Sequence, residues 1–204
     1  MAETLEELYA EKAKCTACKL RAGCTQVVVG TGCLVSPALM IIGEGPTDDD
    51  DLEGEPFLGS SGQALRSVLR ETKVLNKKNT LLTNVVACRP PKNKFPKDGS
   101  AEICIGNWLW KEIELAKPAR ILLLGSTPLK YVADLDGITK CRGQWYNIRG
   151  VRTMATYHPS YVLRQDGQGI MVAREQWTRD INEVANEVKL ILDKQKEGKQ
   201  EPIE

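Results

Sequence analysis

Four short apolar runs constrain this chain more than any other feature: Ala38–Ile42, Leu81–Val86, Arg120–Gly125 and Val151–Ala155. Each is dense in large apolar side chains, as expected of a strand covered on both faces in a parallel sheet. The segments between them have helical spacing over 62–70, 101–115, 127–132 and 172–192, and a short helix within 2–20 carries Leu5, Leu8 and Tyr9. Strands alternating with helices predict an α/β fold, with a central, mostly parallel four-stranded sheet flanked by helices in three α/β/α layers. No repeat or low-complexity linker divides the 204 residues, so 1–192 read as one domain and the charged stretch 193–204 as a frayed, disordered tail.

Several function classes drop out at once. No apolar run approaches the roughly 18 residues of a membrane span. The N-terminus, MAETLEELYAEKAKC, lacks a basic segment followed by an apolar one, which predicts a cytoplasmic protein with no membrane partner. Lys and Arg number 28 against 27 Asp and Glu, so any contact with nucleic acid must rest on a local patch. The cysteine count is seven, and an odd number without an export signal favours metal or cluster ligation over disulfides.

Ligands in open α/β sheets lie outside the carboxyl ends of the strands. Three loops are expected there, 43–62, 84–97 and 157–164. They carry Gly43-Glu-Gly-Pro46, a Pro-broken basic stretch from Arg89 to Lys97, and Tyr157-His-Pro-Ser160 with the only histidine in the chain. Elsewhere Cys15 and Cys18 form a C-x2-C pair, while Cys88 and Cys104 stand 16 positions apart. On spacing, these four thiols fit a 4Fe–4S cluster, a split zinc site, or inert buried sulfurs. Cys24, Cys33 and Cys141 are left over, and Cys24 is close enough in sequence to Cys18 to compete as a ligand.

Gly43-Glu-Gly-Pro46, followed by Gly54-Glu-Pro-Phe-Leu-Gly59 and Gly62-Gln63, resembles the first motif of the family-4 uracil-DNA glycosylases, the iron–sulfur branch of that superfamily. Thr83-Asn-Val-Val-Ala-Cys-Arg-Pro-Pro91 is similar to a second family segment, and Thr156-Tyr-His-Pro-Ser-Tyr-Val-Leu-Arg164 to the His-Pro loop. Smaller echoes are Arg142-Gly-Gln-Trp145 and Trp177 with Asp180, and the likeness runs in order over roughly 8–192. The resemblance implies a 4Fe–4S cluster on Cys15, Cys18, Cys88 and Cys104, structural rather than redox in role. It also implies an enzyme that everts uracil from DNA and hydrolyses its N-glycosidic bond, leaving an abasic site.

Within that reading each residue takes a part. Asn84 would pair with uracil, because one carboxamide both donates and accepts where cytosine presents the reverse pattern. His158 would donate to the base oxygen on which charge develops, and a neutral imidazole suffices for that. Phe57 would stack on the everted base, and Gly43, Glu44 and Gly45 would line the pocket, Glu44 being the nearest carboxylate able to orient water. Asp50 is the positional match to an acidic side chain that crowds the thymine methyl in family members, while the other three of Asp48–Asp51 read as a solvated charge cluster. Arg89, Lys92, Lys94 and Lys97 would meet phosphates, with Leu163 as a wedge and Arg164 as a backbone contact. The expected substrate is uracil in single- and double-stranded DNA, acted on by a monomer, with room for a replication or repair protein as partner. Thr47 departs from the family's usual glycine, and Ser60-Ser61 and Leu58 differ mildly. These departures leave open an alternative, a catalytically weak or inactive glycosylase-fold accessory that only binds DNA.

Overall fold

The computed structural model describes residues 2–197. A six-stranded sheet forms its centre, in the order β1-β3-β2-β4-β6-β5. The strands are β1 (Thr31–Gly32), β2 (Leu39–Gly43), β3 (Thr80–Asn84), β4 (Arg120–Leu124), β5 (Trp145–Ile148) and β6 (Val151–Thr156). The four expected strands are β2, β3, β4 and β6, and they pair in parallel. The sheet is mixed because β1 and β5 close its two edges antiparallel. Neither edge strand was expected. The first is only two residues long, and the second is joined to β6 by Arg149-Gly150, a turn with both residues at positive φ but without an Asn-Gly or Asp-Gly signal.

Successive residues of each central strand face opposite sides, which accounts for the apolar runs. Met40, Ile42, Leu81, Ile121 and Leu123 pack toward a core shared with α1 (Leu5–Lys12), α5 (Trp110–Ala116) and α6 (Ser126–Ala133). Leu39, Ile41, Leu82, Leu122 and Met154 pack toward α3 (Ser60–Glu71) and α9 (Gly167–Glu197). The three-layer architecture follows from that alternation.

The helices differ from expectation in instructive ways. The first stops at Lys12 and leaves the C-x2-C pair in the loop beyond it. The helix expected over 101–115 is broken into α4 (Ser100–Cys104), a π-helical turn (Ile105–Leu109) and α5, so the backbone widens directly after Cys104. The last helix runs to Glu197, into the segment expected to fray, while 198–204 lie outside the described residues. Three short helices were not foreseen: α2 (Asp48–Glu53), α7 (Ile138–Cys141) and α8 (Pro159–Leu163). Among the described residues no helix is long and apolar enough to cross a membrane.

Among the described residues two ion pairs are buried. Lys12 meets Glu112 with both side chains almost fully out of solvent. Arg142 meets Asp180, whose Oδ2 also accepts the Thr156 hydroxyl at 2.6 Å and Arg142 Nε at 2.9 Å. The second pair thus fixes the end of β6, from which the His158 loop departs. Removing one partner of such a pair strands the other charge, at about 3–5 kcal/mol. Arg142→Ala is therefore expected to lower unfolding stability in urea by about that amount, whereas Lys196→Ala, at an exposed i,i+3 pair, should leave the midpoint within error.

Candidate active site

The chain passes from β2 to β3 on one side and later to β4 on the other, so the carboxyl ends of β2 and β4 flank a topological switch point, where open α/β sheets bind ligands. A cleft of about 570 Å³ opens there, its wall including Glu44, Gly45, Gly125, Tyr157, His158 and Arg164. Two of the three loops expected at this edge supply most of that wall, and Pro90 and Asn93 bring in the third.

At the same edge of the sheet the register sets Gly43 beside Asn84, although neither of these nor Phe57 lines the cleft itself. Three groups meet at this point. A Cβ on Gly43 would collide with Asn84 Oδ1 and come within 2.6 Å of Phe57 Cζ, so the carboxamide and the ring both press on bare backbone. Asn84 is 6% exposed, and among the described residues no protein group bonds its carboxamide. Phe57 holds φ +64, an uncommon conformation for a bulky residue. Two things impose it. Arg66 Nε donates to the Phe57 carbonyl at 3.1 Å, with a second guanidinium nitrogen on Glu55 and the Pro56 carbonyl. Gly62 lies directly against that carbonyl, leaving no space for a Cβ.

His158 caps the N-terminus of α8. Its Nδ1 accepts the Ser160 amide at 3.2 Å and faces the Ser160 hydroxyl at 2.8 Å. An Nδ1 that accepts a backbone N–H carries no proton in the neutral ring, so Nε2–H is its one donor. Burial, with a smaller effect from the Arg164 charge, lowers the imidazole from 6.5 to about 4. Across the cleft the Thr127 hydroxyl donates to Glu44 Oε2. Thr127 and Ser160 were not singled out in the sequence, although Ser160 stands two positions after His158, where an N-cap side chain finds its donor.

The remaining expected residues divide. Asp50 is buried with Oδ1 on the Leu58 amide at 2.7 Å and Oδ2 on the Thr47 amide at 3.0 Å, so it ties the ends of its loop together and does not line the cleft. Asp51 is also buried, accepting the Thr25 and Gln26 amides, which leaves two of the four aspartates exposed where three were expected. Arg89 pairs with Asp48, and its Nε donates to Asn93, whose amide donates to the same Asp48. Lys92, Lys94 and Lys97 are exposed. Leu163 stands 50% exposed on the rim of the cleft, beside an exposed Arg164.

On the far side of β3, Cys15, Cys18, Cys88 and Cys104 line one pocket together with Trp108. The Trp108 Nε1–H points at Cys15 Sγ at 3.2 Å. Burial and the neighbouring sulfurs of Cys24, Cys104 and Cys18 push the Cys88 thiol well above its ordinary value. Burial likewise raises Cys104, against an opposing effect of Lys12. Cys24 lies beside the set, its sulfur near the Arg21 guanidinium at 3.8 Å, whereas Cys33 and Cys141 make only local contacts. Among the described residues no three ligand-type side chains are poised around a single metal ion.

Comparison with known proteins gives a consistent set of likenesses. The model of the uracil DNA glycosylase superfamily matches residues 29–185. A type-4 uracil-DNA glycosylase of Thermotoga maritima is 39% identical over 168 residues, covering 79% of this chain and 85% of that protein. Type-4 uracil-DNA glycosylases of Sulfurisphaera tokodaii and Archaeoglobus fulgidus are 33% and 32% identical over 170 residues each, again 79% of this chain, and 76% and 84% of those proteins.

The hydrogen bonds of His158 generate a direct test. A nitrogen-15 NMR titration should find its ring neutral, protonated on Nε2, from pH 8 down to 5, with a midpoint near 4. The unfolded chain takes up that proton near 6.5, so stability present above this pH should decline as pH falls toward 4. Ser160→Ala keeps the backbone amide that Nδ1 accepts, so the Nε2–H tautomer and the low midpoint should both persist.

Proposed function

We propose that this chain, which belongs to the uracil DNA glycosylase superfamily and to its type-4 branch, is a DNA-repair enzyme that everts uracil from DNA and hydrolyses its N-glycosidic bond. The observation that carries the assignment is the meeting of Asn84, Phe57 and Gly43 at the carboxyl ends of β2 and β3, the sheet edge along which the cleft holding His158 and Glu44 opens. A carboxamide so little exposed and without a protein partner is left to solvent or to a ligand. Uracil offers what it lacks, an O4 acceptor for the amide N–H2 and an N3–H donor for the amide oxygen. Cytosine presents a donor and an acceptor in the reverse places, so it would leave Asn84 unpaired in a dry site.

Bond cleavage leaves an oxocarbenium-like sugar and expels the base as an anion. A donor aimed at the developing charge contributes most where water is excluded. The Nε2–H of neutral His158 is suited to the uracil O2, because its proton is already held on that nitrogen by the Ser160 contacts at Nδ1. Phe57 offers a ring face to the everted base, with stacking worth about 1–3 kcal/mol by analogy with single-strand binders. Glu44, anchored through one oxygen by Thr127, keeps its second oxygen for the attacking water. Lys92, Lys94 and Arg164 would contact phosphates, and Leu163 would fill the space the base leaves. Two corrections to the sequence reading enter here. Asp50 takes a loop-building role in place of a specificity role, and Arg89 reaches phosphate only by leaving Asp48.

The cysteine pocket fits a 4Fe–4S cluster on the chemistry of its donors: four thiols from a close pair and two separated positions, with the Trp108 N–H directed at one sulfur. Such a cluster would supply cross-linking of the N-terminal loop to the 88–104 segment. Uracil-containing single- and double-stranded DNA is the expected substrate, handled by a monomer.

Two measurements check this reading. On uracil-containing oligonucleotides, with abasic sites cleaved by alkali, Asn84→Ala and His158→Ala should each slow single-turnover release at least about tenfold while iron per chain stays unchanged. Full rates in both variants would remove the assigned pocket, and release of no base by the unaltered protein would favour a DNA-binding accessory. Cys88→Ser, made separately, should lose most of the iron and the visible absorbance of anaerobically purified protein.

A further inference from the structure

Neither the cleft nor the cysteine pocket makes direct use of the Lys12–Glu112 pair, the most deeply buried charges in the described chain: Lys12 is 1% exposed and Glu112 0%. Exchanging a buried ion pair for well-packed apolar residues is often neutral or stabilising, so stability alone does not explain such a pair. Its placement does. Lys12 ends α1, three residues before Cys15, and Glu112 lies on α5, eight residues past Cys104. One Glu112 oxygen takes the Lys12 ammonium, and the other accepts the Thr83 hydroxyl at 2.8 Å. Thr83 is the residue before Asn84 on β3.

We propose that Lys12, Glu112 and Thr83 form a positioning relay that joins both cysteine-bearing segments to the strand carrying Asn84, so that an ordered cysteine pocket fixes the base-reading carboxamide. Adjacent residues of a strand point to opposite faces. The Thr83 hydroxyl therefore clamps β3 from the α1–α5 side while Asn84 addresses Gly43 and Phe57 on the other. Nothing else hydrogen-bonds the Thr83 side chain among the described residues. The inference rests on Asn84 reading the base, and it adds three residues that touch neither base nor DNA.

The test separates positioning from simple support. Binding is measured to an oligonucleotide carrying 2′-fluoro-deoxyuridine, which resists cleavage, and to the same strand carrying cytosine; iron per chain and visible absorbance are read in parallel. Thr83→Val keeps shape and removes only the hydroxyl. It should reduce the uracil-over-cytosine affinity ratio by about tenfold with iron content and cytosine-strand affinity unchanged, and Thr83→Ser should restore the ratio. A Lys12→Met/Glu112→Leu double variant, apolar in place of charged, should keep its melting temperature and iron but show the same loss. Unaltered discrimination in Thr83→Val overturns the relay, as does loss of iron in step with discrimination. Absence of discrimination in the unaltered protein overturns the base-reading function itself, which keeps the two failures distinct.

Discussion

Parallel hydrogen bonding across four strands decides where everything else in this molecule can stand. Register pairs Gly43 with Asn84 and Leu124 with Thr156, so the strands end nearly level and release their loops along one edge. Because the chain turns to opposite sides after β2, that edge has a gap in its middle. The loops have no freedom to diverge. One is closed by Asp50 across Thr47 and Leu58, another by Arg142 and Asp180 beneath Thr156, and the third by Arg89, Asn93 and Asp48. Each closure uses a charged group against backbone or a second charge, which holds geometry more tightly than apolar contact.

Much of this was legible in the sequence, and the reason lies in which interactions leave a periodic trace. The four central strands were found because burial on both faces demands continuous apolar residues. The three site loops were found because they follow those strands. Gly43, Asn84 and Phe57 meet at one point, and His158 lines the cleft that opens along the same edge of the sheet. What could not be read was decided by single hydrogen bonds. The edge strand Trp145–Ile148 depends on an Arg-Gly turn. The π-helical turn after Cys104 has no pattern of its own. In the run of four aspartates Asp51 looks like solvent-facing charge and Asp50 like a group beside the base, and only the positions of the Thr25, Gln26 and Leu58 amides give both a place inside the loop.

The two sides of β3 are organised by opposite kinds of chemistry. Toward Phe57, small and neutral groups meet: a bare glycine, a carboxamide and a ring. Toward the cysteines, charge is buried outright, with Lys12 and Glu112 held between α1, α5 and the strand. Neutral groups around Asn84 suit recognition of a neutral base, read by hydrogen bonds in place of charge. The buried charge on the other face does its work without reaching the substrate.

The Asp48–Arg89–Asn93 triangle gives the DNA-facing surface a property that charge counting misses. A backbone phosphate approaching Arg89 finds the guanidinium already paired with a carboxylate, and the two anions must exchange. The loop is thereby held in shape by its own contacts, and at Arg89 a phosphate would gain only the difference between two anions.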